Sequence, residues 1–212
     1  MEGSLSIAVA LALAAVWLSA GELSASATAT APAPAVSSKA DAEFIRRSCK
    51  ATRYPQLCER SLAGYAGSVH RSPRQLARLA LSLSLDKAGS ASSFVARLRK
   101  PRKGGSESLR QRRDAGAVRD CAETMQDSVE RLRRSAREMG RMGRATSGRF
   151  GWHLSNVQTW VSGALTDQTT CLDSLAQNAP PSPRSSAIRS RVLAASQLTS
   201  NALALINRLA PT

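Results

Sequence analysis

Four cysteines in two unlike settings constrain this chain more than any other feature. Cys49 and Cys58 frame a short segment, Cys-Lys-Ala-Thr-Arg-Tyr-Pro-Gln-Leu-Cys, whereas Cys121 and Cys171 stand far apart, each inside a segment patterned as a helix. An even cysteine count in a secreted chain reads as a disulfide framework, and four cysteines allow three connectivities. One of them, Cys49 with Cys58 and Cys121 with Cys171, would staple a local hairpin and separately tie two helices together. Closing a loop of about fifty residues in that way stabilises a fold by about 4 kcal/mol in the chain-entropy description.

Secretion is the expectation from the leader. Ile7 to Leu18 is an apolar run of signal-peptide length, too short to span a bilayer. Small residues follow it, and both Ser19-Ala20-Gly21 and Ala25-Ser26-Ala27 suit a small-x-small cleavage rule, although Met1 to Ser6 contains no Lys or Arg. The expected organisation is a signal peptide over 1–27, a flexible Ala/Ser/Thr/Pro linker over 28–40 and a single domain over 41–212. No later stretch is apolar enough for a membrane anchor. Nor does any Asn head an Asn-x-Ser/Thr acceptor, so no N-glycan is expected.

Helix punctuation recurs along the domain, while strand-period alternation does not. Aromatic residues make up only 4% of the chain, which favours helices packed through small and aliphatic side chains over a β-sandwich. Ser72-Pro73-Arg74-Gln75 offers a capping Ser, a first-position Pro and a Gln three after the cap, and Leu76, Leu79 and Leu83 follow on one face. The spacing thus predicts a helix from Pro73 into the nineties, then a basic loop over Arg97 to Ser108. A second helix is expected over Asp114 to Met139, where Cys121, Met125, Val129 and Leu132 recur, with Gly140, Gly143 and Gly148 breaking it. A third spans Phe150 to Gln177 with Val157, Val161, Ala164, Gln168, Cys171 and Leu175 in one stripe. The fourth starts at Ser182-Pro183 and carries Ile188, Val192, Ala195, Thr199, Ala202, Ile206 and Leu209. Four amphipathic helices with short connections make an up-down bundle the natural solution, preceded by a helical hairpin over Ala42 to Leu62.

Charge is strongly one-sided, with 30 Lys+Arg against 15 Asp+Glu and a formal net charge of +15. Much of the excess lies in Arg97 to Arg119 and Arg131 to Arg149. Outside a cell the natural polyanion for such a surface is an acidic polysaccharide rather than a nucleic acid.

The motifs, taken in order, are similar to one known family. Phe44-Ile45…Cys49…Thr52-Arg53-Tyr54-Pro55-Gln56-Leu57-Cys58…Ser61-Leu62 resembles the opening of the plant invertase and pectin methylesterase inhibitor family. Ala117-Val118-Arg119-Asp120-Cys121-Ala122-Glu123 with Ser128-Val129-Glu130-Arg131-Leu132 resembles its second-helix signature. Asn156 to Thr166, followed by Thr170-Cys171-Leu172-Asp173, resembles the third, and Leu198 to Leu205 the closing helix. The resemblance covers essentially all of the chain after Ala40. It departs from the family at Met125, where Tyr is usual, at Ser128 and Gly163, where Ala is usual, and in its long basic Arg97–Arg119 stretch.

That resemblance implies an all-α fold, an up-down four-helix bundle preceded by an N-terminal helical hairpin, with disulfides Cys49–Cys58 and Cys121–Cys171. It also implies a non-enzymatic function: reversible inhibition of pectin methylesterase in the apoplast or cell wall, by a 1:1 complex that occludes the substrate cleft. Glu123, Asp127, Thr170 and Asp173 stand at positions matching the family's docking contacts. Acid invertase is the alternative target. The Pro-Lys-Phe tripeptide frequent in invertase inhibitors is absent from the last helix, which reads Ser-Ala-Ile-Arg-Ser-Arg-Val-Leu. A third reading, of another class, is a cationic wall or defence protein whose Arg97–Arg113 segment binds acidic pectin.

No cofactor, metal, nucleic-acid or membrane partner is expected. His70 and His153 lack metal-ligand spacing, and no nucleophile elbow, phosphate loop or zinc-helix motif is present. Trp152 and Trp160 read as packing residues.

Overall fold

The computed structural model describes residues 35–99 and 108–210, so the expected signal peptide, the linker as far as residue 34 and part of the basic stretch lie outside the described residues. Every regular element among the described residues is helical. The elements are α1 (Ala35–Cys49), α2 (Pro55–Leu62), a 3₁₀ turn (Ala63–Tyr65), α3 (Ala66–Val69), α4 (Pro73–Leu98), α5 (Leu109–Arg141), α6 (Phe150–Asn178) and α7 (Pro183–Asn207). In the bundle α4 packs on α5 and α7, and α6 packs on the same two, while α1, α2 and α3 form an outlying hairpin against α4 and α7.

Local chemistry accounts for the boundaries. Ser72 accepts a hydrogen bond from the Gln75 N–H, and Ser182 from the Ser185 N–H, each just before a first-position Pro. Helix α5 begins at Leu109, earlier than the Asp114 expected, because Ser108 and Gln111 form a reciprocal capping box. Helix α4 likewise runs through its Gly/Ser segment to Leu98, so Arg97 and Leu98 are helical and the expected loop begins beyond them. Helix α1 takes in residues 35–40 of the expected linker, a stretch without Pro that holds good helix formers such as Ala35, Lys39 and Ala40. Gly140 does not interrupt α5; the turn falls at Gly143, whose φ of 64° suits a residue without Cβ. His70 and Arg71 adopt left-handed backbone after α3, and Arg71 reaches the buried Asp41 of α1 at 3.4 Å.

The expected stripes of α5, α6 and α7 form the core: Met125, Leu132, Val157, Val161, Ala164, Ile188, Val192, Ala195 and Ile206 are buried. Helix α4 departs from expectation. Leu76 is buried, but Leu79 and Leu83 are only half-buried, and the bundle-facing side is Ala77, Ala80, Leu81, Ser84, Ala88, Ala91 and Val95. Leu83 instead borders a small apolar crevice beside Cys58 and Leu62 of the hairpin, so α4 is covered on two sides.

Two buried polar contacts orient α7. The Thr199 hydroxyl donates its single hydrogen to Ala195 O at 3.0 Å, so Ser84 donates to Thr199 at 2.7 Å and pins α4 to α7. The Asn201 side-chain amide pairs with the Tyr54 backbone, accepting from Tyr54 N at 3.0 Å and donating to Tyr54 O at 2.9 Å. The amide thereby fixes the Cys49–Cys58 hairpin turn on the bundle. Asn201→Ala should cost about 1–3 kcal/mol, because it strands the Tyr54 N–H and leaves Tyr54 O with only the Cys58 N–H, as read from the urea-unfolding midpoint.

Candidate functional site

A buried disulfide sets the register of the α5–α6 seam, the face that carries the candidate site. Cys121 and Cys171 are bonded with their Cα atoms 4.2 Å apart, and Cys49 is bonded to Cys58 across the hairpin. Toward the C-terminal end of α5 the antiparallel packing next brings Ser128 against Ala164 and Gln168. The Ser128 hydroxyl donates to Ala164 O at 3.0 Å and accepts from Gln168 Nε2 at 2.9 Å. Ser in place of the family's usual Ala therefore supplies the acceptor that a fully buried Gln168 needs. Met125, in place of Tyr, is wholly buried and fills the core one turn after Cys121.

Farther along, Arg131 lies across α6. Its Nε donates to Asp167 Oδ2 at 2.9 Å. A Cβ on Gly163 would stand 3.2 Å from Arg131 Cδ and 3.3 Å from its Nη1, tighter than ordinary contact. Gly163 costs α6 about 1 kcal/mol of helix propensity relative to Ala, and its missing Cβ lets the arginine stem lie directly on the α6 backbone. Burial pushes the Asp167 carboxyl above its ordinary value; Arg131 opposes that shift, and the nearby Asp127 adds to it.

The seam ends in a buried acid. The Glu138 carboxylate accepts from His153 Nδ1 at 2.8 Å and Asn156 Nδ2 at 3.1 Å, with Arg141 Nη1 at 3.6 Å. The His153 hydrogen bond, followed by that of Asn156 and the charges of His153 and Arg141, holds Glu138 below its ordinary value against the opposing effect of burial.

The four residues singled out in the sequence are all exposed: Glu123 and Asp127 on α5, Thr170 and Asp173 on α6. The disulfide sets the α5 turn bearing Glu123 beside the α6 turn bearing Thr170 and Asp173. Asp127 continues the Glu123 face toward Arg131 and Asp167. Trp152 corrects the sequence reading. It is 62% exposed rather than packed, because it lies off the buried Phe150–Leu154–Val157–Val161 stripe, while Trp160 is half-buried. Trp152, Thr159, Thr166, Thr170 and Asp173 recur at steps of seven, seven, four and three, a spacing that puts an exposed indole on the same α6 face as the candidate pair. Among the described residues no group of three or more His, Cys, Asp or Glu is placed to hold a metal ion, and no helix is long and apolar enough to cross a membrane.

Comparisons with known proteins agree on one family. The family model described as plant invertase/pectin methylesterase inhibitor matches residues 43–205. Pectinesterase inhibitor 9 of Arabidopsis thaliana is 44% identical over 79% of this chain and 81% of its own length. Pectinesterase inhibitor 11 of the same plant is 43% identical over 82% and 84%, and a 21 kDa protein of Daucus carota 41% identical over 79% and 84%. A crystal structure of a pectin methylesterase inhibitor from Arabidopsis, in a mutant form, shares the fold with a TM-score of 0.58 at 18% identity, covering 77% of this chain and 95% of that one.

Two titrations check the seam. In Arg131→Ala the Asp167 carboxyl should titrate higher still by NMR, since burial and Asp127 both push upward, while Asp127→Asn should lower it. Glu138 has a depressed folded value, so its contribution is complete above the ordinary glutamate value of 4.5 and is lost as pH falls through the folded value. Thermal unfolding of Glu138→Gln should therefore lose less stability than the wild type over that acid range.

Proposed function

The chain belongs to the plant invertase/pectin methylesterase inhibitor family, and from that premise we propose that it is a secreted inhibitor of pectin methylesterase that acts in the cell wall. The observation that carries the reading is the identity of 43–44% to pectinesterase inhibitors over about four-fifths of this chain. Such a protein is an inhibitor and not an enzyme. It works by occlusion: in a 1:1 complex the bundle lies across the esterase's polysaccharide cleft and excludes the substrate, with no covalent step.

The α5–α6 face supports that reading. It offers carboxylates at Glu123, Asp127 and Asp173, a hydroxyl at Thr170, and an exposed indole at Trp152, on helices whose register a disulfide holds. Rigid elements present such groups with little ordering cost on binding. Aromatic side chains are also over-represented among residues that dominate interface energies. The basic residues Arg110, Arg112 and Arg113 at the start of α5 make a separate contact with acidic pectin.

The test is inhibition by the oxidised, secreted protein, with plant pectin methylesterase and acid invertase assayed in parallel at apoplastic pH. Esterase inhibition alone is expected. At least one of Glu123→Ala, Asp127→Ala, Thr170→Ala, Asp173→Ala and Trp152→Ala should raise the inhibition constant tenfold or more, about 1.4 kcal/mol. Inhibition of invertase alone would assign the other target, and inhibition of neither would reject the reading.

A further inference from the structure

At the end of the bundle where α5 begins, the charge pattern runs against ordinary helix electrostatics. The first turns of a helix favour acidic side chains, because the backbone N–H groups there concentrate positive potential. Helix α5 has no acid in its first turn and instead carries Arg110, Arg112 and Arg113, all exposed and none in an ion pair among the described residues. The nearest carboxylate that follows in sequence, Asp114, is occupied elsewhere: Arg184 of α7 binds it at 3.0 Å and also donates to Leu98 O. Among the described residues these three neighbouring cations thus have no counter-charge, on a chain that already carries a net charge of +15.

These cations border an open cleft. A cleft of about 590 Å³ separates the start of α5 from the end of α6 and the turn after it, lined by Leu109, Arg110, Arg113, Gln177, Asn178 and Pro180 among others. That volume falls in the range of about 300–1,000 Å³ common to ligand sites. Leu109 is 69% exposed, so it adds an open apolar surface to the cleft. Arg110 and Arg113 supply cations, Gln177 and Asn178 supply amide donors and acceptors, and Leu109 with Pro180 supplies an apolar wall.

We propose that this cleft is a binding site for oligogalacturonate, the carboxylate-bearing form of pectin. Arg110 and Arg113 would pair with uronate carboxylates, Gln177 and Asn178 with ring hydroxyls, and Leu109 and Pro180 with the C–H face of a sugar ring. A guanidinium presents paired donors matched to a carboxylate, whereas a methyl ester removes the charge that the cations recognise. The site would therefore distinguish pectin after de-esterification from pectin before it, and would hold the inhibitor where an esterase has already worked. This deepens the pectin contact in the proposed function and uses residues other than the docking candidates Glu123, Asp127, Thr170 and Asp173.

Isothermal titration of the oxidised protein with oligogalacturonate, its fully methyl-esterified counterpart and a DNA oligonucleotide of equal charge tests the proposal. Expected are saturable binding of oligogalacturonate, at least tenfold weaker binding of the ester, and marked weakening as salt rises. The double variant Arg110→Ala/Arg113→Ala should weaken binding at least tenfold. So should Ala176→Phe, which fills the cleft without changing charge. The control Arg133→Ala/Arg144→Ala, which removes equal charge elsewhere, should change it less than twofold. Esterase inhibition should be unchanged in the two arginine variants, so loss of sugar binding and loss of inhibition are read separately. No binding of oligogalacturonate, equal binding of ester or DNA, or equal weakening in the control would overturn the proposal.

Discussion

The seam between α5 and α6 depends on one covalent constraint. Cys121 and Cys171 are wholly buried and bonded, which fixes the antiparallel register of the two helices at one point. Register at one point sets it along the rest of two stiff helices. From Cys121 along α5, Ser128, Arg131 and Glu138 meet Ala164, then Gly163 and Asp167, then Asn156 and His153 as α6 runs back. A shift by one residue would separate every one of these pairs, because neighbouring positions point about 100° apart on a helix. The disulfide thus acts on geometry as well as on the entropy of the unfolded chain.

Polar groups complete the assembly that apolar burial begins. Small side chains at Ala77, Ala80, Ala88 and Ala195 let helices come together but specify orientation weakly. Ser84 with Thr199, Ser128 with Gln168 and Asn201 with the Tyr54 backbone are directional, and each would leave a buried polar group stranded if α4, α6 or α7 rotated. At Asn201 one side chain satisfies both backbone groups of the residue that turns the hairpin. In this way the disulfide-closed hairpin is held to the last helix of the bundle.

Charge is divided between surfaces suited to different partners. The α5–α6 face combines Glu123, Asp127, Asp173 and an internally neutralised Arg131–Asp167 pair with an exposed indole, features suited to a protein partner. The α5 end carries exposed arginines beside an open cleft, features suited to a polyanion. Because the two surfaces use different residues, the proposed inhibition and the proposed attachment to pectin can be tested by separate substitutions.

The helical class, three of the four bundle stripes and the caps at Ser72 and Ser182 were legible in the order of residues alone, as were, through motif resemblance, the disulfide pairing and the family. Those features are written within a few residues of one another or in a strict order along the chain. The capping box at Ser108 and Gln111 was equally local and marks where α5 begins. Other features came only with the packed structure: the two covered sides of α4, the exposure of Trp152, the acceptor role of Ser128, the Arg131 stem over Gly163 and the reach of Asn201 to Tyr54. Their partners lie 36 residues away for Arg131 and Asp167, 115 for Ser84 and Thr199, and 147 for Tyr54 and Asn201. Periodicity states which side of a helix is apolar, but it carries no information on which helix that side meets or at what height. Only packing the helices against one another supplies those two quantities.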